Sequence, residues 1–397
     1  MSWALALARK REQLAHPAAR ALGWLLCIAA MYALVVAAGD ALRDPDSTLY
    51  AQIAHQLATR PVSTWIAPDF PPARFKSGPF LEHLSVFFWP AAALDRIGFS
   101  QGAVLANFFY ALALLYLLFQ LARRCADRET AWVAVASYLV SPLGVQYLLR
   151  ANHENAWALG FLGGALCVLE LNRTRWGGPL LAACAAWAFL IKGVLALAFF
   201  PVMLAIGLGV GAKRTPLWLG ISALAVGAAA LAYELAFRHA TGHGFFAAYL
   251  QIQLGYVGTF EQRGALVKLM SPLYYGLNLL WFALPGSVLA FRAGLRAWRE
   301  REARLPLRMG GLGAGVHLLV LSLMTRHAVR YIFPAYALVQ LAGAPELTRL
   351  RKLRAWISEH DALLPYLSMI ALPVILALRI TVDLHAYRFV DVLGGLP

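Results

Sequence analysis

The feature that most constrains the fold of this chain is a series of apolar runs that recurs from one end to the other. Each run is about 17–25 residues long, the length that an α-helix needs to cross a hydrocarbon core of about 30 Å. The composition agrees, because 60% of the 397 residues are hydrophobic and only 14% are charged, whereas about a quarter of a soluble domain is charged. The sequence therefore predicts an all-α, polytopic membrane protein.

We expect about 11 transmembrane helices, which form a single domain over residues 1–397 without a separate soluble domain. The apolar piece 79–97 contains Glu82, His83 and Asp95, so we predict a helix at the membrane interface there and not a span. We interpret the first apolar run as an anchor, because no convincing cleavage site follows it. The predicted spans are 20–38, 101–122, 130–148, 154–171, 177–191, 193–210, 216–236, 272–291, 310–325, 331–345 and 362–381.

The distribution of the basic residues predicts the orientation. The net charge is +15, from 35 Lys and Arg against 20 Asp and Glu. Most of these cations fall in the short loops that lie inside if the N-terminus is cytoplasmic, as the positive-inside rule requires. We therefore expect an N-in, C-out protein, in contact with membrane lipids and without a nucleic-acid partner. The Ala/Leu/Arg-rich composition is consistent with a bacterial inner membrane. Two larger loops, 39–100 and 237–271, would then face the periplasm.

An acidic run follows the first predicted span. Asp44 and Asp46 precede an amphipathic stretch that carries Tyr50. A carboxylate at the membrane face of an apolar protein is energetically unfavourable unless it has an interaction partner. At the polar opening of a cavity, such a carboxylate can act as a base. The alternative is a helix cap, since Asp is a favoured N-cap residue. We favour the cap or a solvated turn for Asp44 and a functional role for Asp46.

Four further polar segments fall on the same predicted side of the membrane as Asp46. Taken singly, each could bind lipid headgroups, cap a turn, snorkel or anchor a span end. Taken together, they bring cations from separated parts of the chain to one face, which suits a phosphate-bearing substrate. The segments are ARFKSGPFLEHL with Arg74 and Lys76 (73–84), RANHENAW with Arg150, His153, Glu154 and Asn155 (150–157), FLIKG with Lys192 (189–193), and MTRHAVRYIFPAY with Arg326, His327, Arg330 and Tyr331 (324–336).

The order of these motifs resembles that of the polyprenyl-phosphate-sugar-dependent glycosyltransferases of the C-type (GT-C) membrane superfamily. The resemblance is greatest to the branch that contains the bacterial lipid A aminoarabinose transferases and the protein O-mannosyltransferases. It covers residues 20–210 well and the remainder loosely. The segments that carry it are PDSTLYAQIA (45–54), RFKSGPFL (74–81), ARRCADRE (122–129), ANHENA (151–156), FLIKG (189–193) and RYIFP (330–334).

The resemblance implies roles for the polar residues. Asp46 would be the catalytic base, the second acidic and acceptor-positioning residues would be Glu154, Asp44 and Tyr50, and the phosphate ligands would be Lys76, Lys192, Arg330, Arg74 and His327. Three positions depart from the family pattern: Ser47 stands where Glu is usual, Ser77-Gly78 where Pro-Pro is usual, and His153-Glu154 where Pro-Asp is usual.

The implied activity is that of an inverting glycosyltransferase at the periplasmic face. Its donor would be a sugar on a polyprenyl (undecaprenyl) phosphate carrier, and its acceptor lipid A, another glycan or a protein. A divalent cation, Mg²⁺ or Mn²⁺, is the one cofactor to consider, although Ser47 argues against an Asp-Glu metal pair and the four cysteines lack metal-ligand spacing. Two alternatives stay open: a transporter or flippase for lipid-linked sugar, and a non-catalytic relative.

Overall fold

The computed structural model describes residues 17–38, 45–71, 78–148, 150–261, 265–323 and 328–382. Within these ranges the regular elements are helices, apart from one isolated antiparallel bridge between Asp69 and Pro79. The prediction of an all-α protein is confirmed. The structure does not describe the segments 39–44, 72–77 and 324–327, which hold some of the predicted site residues.

The helices are numbered in chain order. The first nine are α1 (Pro17–Ala38), α2 (Pro45–Ala58), α3 (Trp89–Arg96), α4 (Gly102–Cys125), α5 (Arg128–Val140), α6 (Pro142–Leu148), α7 (Glu154–Glu170), α8 (Gly177–Lys192) and α9 (Phe199–Val210). They are followed by α10 (Thr215–Thr241), α11 (Phe246–Glu261), α12 (Ala265–Phe282), α13 (Gly286–Glu300), α14 (Leu305–Ser322), α15 (Phe333–Thr348), α16 (Arg351–His360) and α17 (Leu364–Val382). Short 3₁₀ turns lie at Val62–Thr64, Ser85–Phe88, Gly193–Ala198 and Val329–Ile332.

Several of these helices can cross a membrane. By length and hydropathy, four described stretches qualify: Gly102–Cys125, Gly177–Val210, Thr215–Thr241 and Leu305–Ser322. A bent pair, Met270–Phe282 with Gly286–Glu300, adds a fifth if it is taken as one span. The chain is thus a multi-pass helical membrane protein, while the predicted number of spans and their orientation stay predictions.

The apolar stretch Gly177–Val210 contains two helices that fold back on α7. A Cβ added at Gly163 would lie 2.9 Å from Cys184 Sγ, and one added at Gly164 would lie 3.0 Å from Met203 Sδ. In one straight helix, residues 184 and 203 would be about 28 Å apart, so both could not reach the same turn of α7. The separate spans predicted at 177–191 and 193–210 match this reversal.

The predicted span 272–291 differs from the structure. The chain breaks after Phe282, and the axes on either side of the break differ by 110°. Pro285, which lacks an N–H, stands in the break, and Gln340 Nε2 satisfies the carbonyl of Ala283 at 2.8 Å. A hydropathy profile does not show such a break, because the residues on both sides of it are apolar. By contrast, the piece 79–97 forms only a 3₁₀ turn and the short helix α3, consistent with the prediction that it is not a span.

Helix α15 is the central helix of the bundle. Its residues 333–345 are all buried, and it packs against α5, α7, α13 and α14. With 16 residues it is about 24 Å long. The 3₁₀ turn that carries Arg330 precedes its first residue, and the basic helix α16 follows its last. The two ends of α15 therefore hold the two polar regions described below.

Close packing of α13 against α15 depends on glycine. A Cβ added at Gly343 would lie 2.5 Å from the carbonyl oxygen of Gly286 and 2.9 Å from the backbone nitrogen of Ala290, whereas one added at Gly315 of α14 meets nothing within 4 Å. We expect Gly343→Ala to lower the free energy of unfolding by about 1–3 kcal/mol, as overpacking does. Gly315→Ala should leave it unchanged or raise it, since Ala favours the helix by about 1 kcal/mol. Thermal unfolding of the two purified variants compares them; equal stability would contradict this packing.

Candidate functional site

Helix α2 carries the first two residues of the site. Its second residue, Asp46, lies in the first turn, where a negative charge interacts favourably with the helix dipole. Tyr50 follows one turn later and so lies on the same side of the helix. The apolar residues Ile53, Ala54 and Leu57 are fully buried and anchor the helix, which holds Asp46 at its exposed end.

Asp46 contacts an arginine from the far end of the chain. Arg330 Nη1 donates a hydrogen bond to Asp46 Oδ2, although 284 residues separate the two in sequence. The side chain of Asp46 remains 41% exposed and that of Arg330 26% exposed. An ion pair with this much exposure adds little to stability, so its position matters more for what can bind there than for the fold.

A second charged cluster is buried beside the first. Lys192 Nζ donates to Glu154 Oε1 at 2.8 Å and also contacts His153 Nε2. The side chains of all three residues are about 1% exposed. Burial and the neighbouring ammonium hold the pKa of His153, in the turn before α7, well below its usual range. The imidazole is therefore neutral, and its Nε2 can accept from Lys192.

The backbone at the end of α8 directs Lys192 into this cluster. Gly193, the next residue, has a φ of 59°, a conformation that glycine adopts without steric cost. A Cβ at Gly193 would overlap the hydroxyl of Tyr249, which accepts a hydrogen bond from the backbone N–H of Val194 at 3.1 Å. The glycine of the FLIKG segment is thus required by the local geometry.

Aromatic rings connect the buried cluster to the Asp46–Arg330 pair. Lys192 Nζ lies 5.5 Å from the ring centroid of Trp157 and 5.7 Å from that of Tyr331, the residue after Arg330. Rings at this distance attract a cation. Buried His317 of α14 donates from Nε2 to the carbonyl of Tyr331 at 3.0 Å and so holds the turn that carries Arg330.

The sequence prediction missed His83. Its Nε2 lies 3.1 Å from the hydroxyl of Tyr50, and its ring centroid lies 4.6 Å from that of His153. His83 therefore joins α2 to the Lys192 cluster. His83 lies in the polar segment 73–84 that the sequence analysis selected, but there only Arg74 and Lys76 were chosen, and the Glu82-His83 pair was interpreted as interfacial.

The structure brings five of the predicted site residues together: Asp46, Tyr50, Glu154, Lys192 and Arg330. Two other residues of the 150–157 segment contact neighbouring helices. Asn155 Nδ2 donates to Asn107 Oδ1 at 2.9 Å, and the guanidinium of Arg150 lies over the ring of Tyr147. The remaining predicted residues lie outside the described part of the chain; they are Asp44, Arg74, Lys76 and His327.

The described residues do not form a metal site. They contain no group of three or more His, Cys, Asp or Glu side chains that could hold a metal ion. Asp46 is in contact with Arg330, and its neighbour Ser47, buried at 1% exposure, supplies no second carboxylate. The expected divalent cation stays a prediction, and no chemical step below depends on it.

Comparison with solved structures identifies the fold of this chain. The chain superposes on the crystal structure of ArnT from Cupriavidus metallidurans bound to undecaprenyl phosphate with a TM-score of 0.65 and 16% identity, covering 82% of this chain and 60% of that one. The apo structure of the same protein gives 0.58 and 19% identity, over 85% of this chain and 61% of that one. The chain has the ArnT fold.

Sequence comparison finds a relative of the same kind. The chain is 32% identical over 179 residues to the undecaprenyl phosphate-α-4-amino-4-deoxy-L-arabinose arabinosyl transferase of Shewanella sediminis, a match that covers 42% of this chain and 31% of that protein. No family model matches the chain. The chain thus spans about a third of the curated relative and about three fifths of the ArnT chains. The predicted resemblance to the C-type membrane glycosyltransferases near the lipid A aminoarabinose transferases is confirmed.

The buried Lys192–Glu154 pair gives a prediction about stability. Lys192→Met leaves the carboxylate of Glu154 buried without its main partner, and such a change costs about 3–5 kcal/mol. The double variant Lys192→Met/Glu154→Gln removes both charges, so we expect it to be less destabilised than Lys192→Met alone. Chemical unfolding of the purified variants measures this. Additive losses in the double variant would show that the two charges do not interact.

Proposed function

We propose that this protein is a glycosyltransferase that moves a sugar from a polyprenyl phosphate carrier to an acceptor on a lipid, a glycan or a protein. The observation that supports it most is the contact between Asp46 and Arg330, two residues singled out from opposite ends of the sequence. They meet beside the buried Lys192 cluster, in a fold shared with a protein whose crystal structure holds undecaprenyl phosphate.

In the proposed reaction Asp46 is the general base. Its carboxylate accepts the proton of an acceptor hydroxyl as that oxygen attacks the anomeric carbon of the sugar. The bond between this carbon and the carrier phosphate breaks, and the phosphate leaves with the bonding electron pair. A single displacement of this kind inverts the anomeric centre. Base assistance contributes about 10²–10⁴-fold to the rate.

Arg330 is the proposed phosphate ligand among the described residues. A guanidinium has five N–H donors in a fixed fork, so Arg330 can contact Asp46 and a phosphate at the same time. Lys192, the other proposed phosphate ligand of the described residues, lies behind it and is already engaged with Glu154 and His153. We propose Lys76, Arg74 and His327, in the adjacent undescribed segments, as further phosphate ligands.

The acceptor would approach from the side of α2. Tyr50 is one turn from Asp46 and is held by His83 at 3.1 Å, so its ring forms a fixed wall next to the base. Glu154 and Asp44 complete the proposed acceptor-positioning group. We place the site at the periplasmic face of the inner membrane, because the basic loops predict the opposite ends of the helices to be cytoplasmic. Lipid A or a related glycan is the proposed acceptor class.

The base assignment is tested with Asp46→Asn. In membranes supplied with labelled polyprenyl-phosphate sugar, we expect transfer to fall by about 10²–10⁴-fold, because the amide cannot accept the proton. Asp69→Asn is the matched control, since Asp69 is a half-exposed carboxylate of the same region that pairs with Arg60. Near wild-type transfer by Asp46→Asn would overturn the assignment. Movement of labelled lipid across the bilayer without sugar transfer would favour a flippase.

The phosphate assignment is tested with Arg330→Gln and Arg330→Lys. Losing a donor that stabilises developing charge costs about 10²–10³-fold in kcat, so we expect a loss of that size for Arg330→Gln. We expect a smaller loss for Arg330→Lys, which keeps the charge but not the fork. Arg238→Gln is the control, because Arg238 is exposed and its one ion pair among the described residues is with Glu234 of its own helix. Equal kcat in Arg330→Gln and the control would contradict the assignment.

A further inference from the structure

The end of the bundle away from the candidate site carries two amphipathic helices, α13 and α16. Helix α16 begins directly after the last turn of α15, whereas Arg330 lies before the first. Arg296 of α13 reaches the same end of α15, where its Nη2 lies 3.0 Å from Glu346 Oε2. The length of α15, about 24 Å, therefore separates this surface from the site.

One face of each helix is packed against the bundle. In α13 the buried residues are Gly286, Ser287, Leu289 and Ala293, and in α16 Ile357 is 4% exposed. Arg354 of α16 also binds Asp127 at 3.0 Å. Both helices are thus held in place, and their remaining faces point away from the protein.

The outer faces carry large apolar side chains. In α13, Trp298 is 79% exposed and Phe291 is 65% exposed, and in α16 Trp356 is 46% exposed. Helix α13 also turns away from α12 by 110°, so it does not continue the direction of the preceding helix. A helix with aromatic residues on one side and cations on another is suited to lie in the plane of a membrane interface.

Many cations of this surface form no ion pair with any carboxylate that the structure describes. Among the described residues, no carboxylate forms an ion pair with a set of seven exposed side chains, whereas Arg296, Arg349 and Arg354 do pair with carboxylates. The unpaired set is Arg292, Arg299, Arg301, Arg304, Arg308, Arg351 and Lys352. A dense group of unpaired cations is electrostatically unfavourable by itself and attracts anions.

We propose that α13 and α16 form a binding surface for anionic phospholipids at the membrane face opposite the candidate site. The cations bind the phosphate groups of the lipid heads, and Phe291, Trp298 and Trp356 insert among the acyl chains next to them. The apolar residues favour a lipid over a soluble phosphate, because only a lipid covers both parts of the surface. Each cation near an anionic membrane surface contributes about fivefold to the association.

The experiment uses the full-length chain in phosphatidylcholine vesicles with a minor fraction of phosphatidylglycerol. Quenching of Trp298 by brominated phosphatidylglycerol is compared with quenching by brominated phosphatidylcholine at equal mole fraction, and the signal of Trp298 is isolated by difference from Trp298→Phe. We expect stronger quenching by the anionic lipid. In Arg299→Gln/Lys352→Gln this preference should fall at least about fivefold.

Three control arms separate lipid binding at this surface from a general effect of charge, from binding of free phosphate and from binding at the candidate site. Lys213→Gln/Arg214→Gln removes the same charge from an exposed loop at the same end of the bundle, since Gly209 just before it packs against Arg308, and it should keep the preference. Added inorganic phosphate should not displace the lipid. Arg330→Gln should have no effect, because Arg330 lies at the other end of α15. The proposal is overturned by no lipid preference in the wild type, by an equal loss in the loop control, by displacement with phosphate, or by loss of the preference in Arg330→Gln.

Discussion

The contact between Asp46 and Arg330 is the interaction on which the arrangement of the site depends. It joins the exposed end of α2 to the turn before α15. The first and the last of the polar segments named in the sequence, 45–54 and 330–334, therefore lie next to each other. The buried Lys192–Glu154 pair supports it from behind, and Tyr331 links the two clusters. Charged side chains in a bundle of apolar helices are costly, and here each described one at the site has a partner of opposite charge or a polar neighbour. The described side chains of the site are therefore already in contact without a substrate.

Much of this site could be predicted from the sequence, because ionisable residues stand out in a chain that is otherwise apolar. Asp46, Glu154, Lys192 and Arg330 were selected for that reason, and the assumption that they share one membrane face predicted their convergence. His83 and His317 were not selected. A histidine within an apolar piece gives no signal of its own, and each acts here through a partner, Tyr50 or the Tyr331 carbonyl, that only the tertiary structure supplies.

The helices themselves were predicted well where apolar runs are bounded by polar loops. Two breaks were not predicted: the one at Ser141 between α5 and α6, which divides the predicted span 130–148, and the one between α12 and α13. Hydropathy registers the polarity of residues and not the direction of the chain. The fold brings Gln340 to the carbonyl of Ala283, which also accepts from the backbone N–H of Ser287, and no local pattern predicts the contact with Gln340. The resulting turn gives α13 its direction and so separates the polar site at one end of α15 from the basic surface at the other. This two-ended organisation suits a protein that receives its proposed substrate from the membrane.

The central claim is that Asp46 and Arg330 together face a lipid-linked phosphate. A structure of the chain determined with polyprenyl phosphate bound tests it most directly. We predict phosphate oxygens within hydrogen-bonding distance, about 3 Å, of the Arg330 guanidinium, with Asp46 on the side where the sugar would attach. Phosphate density at the α13–α16 surface alone, or anywhere remote from Arg330, would contradict the account.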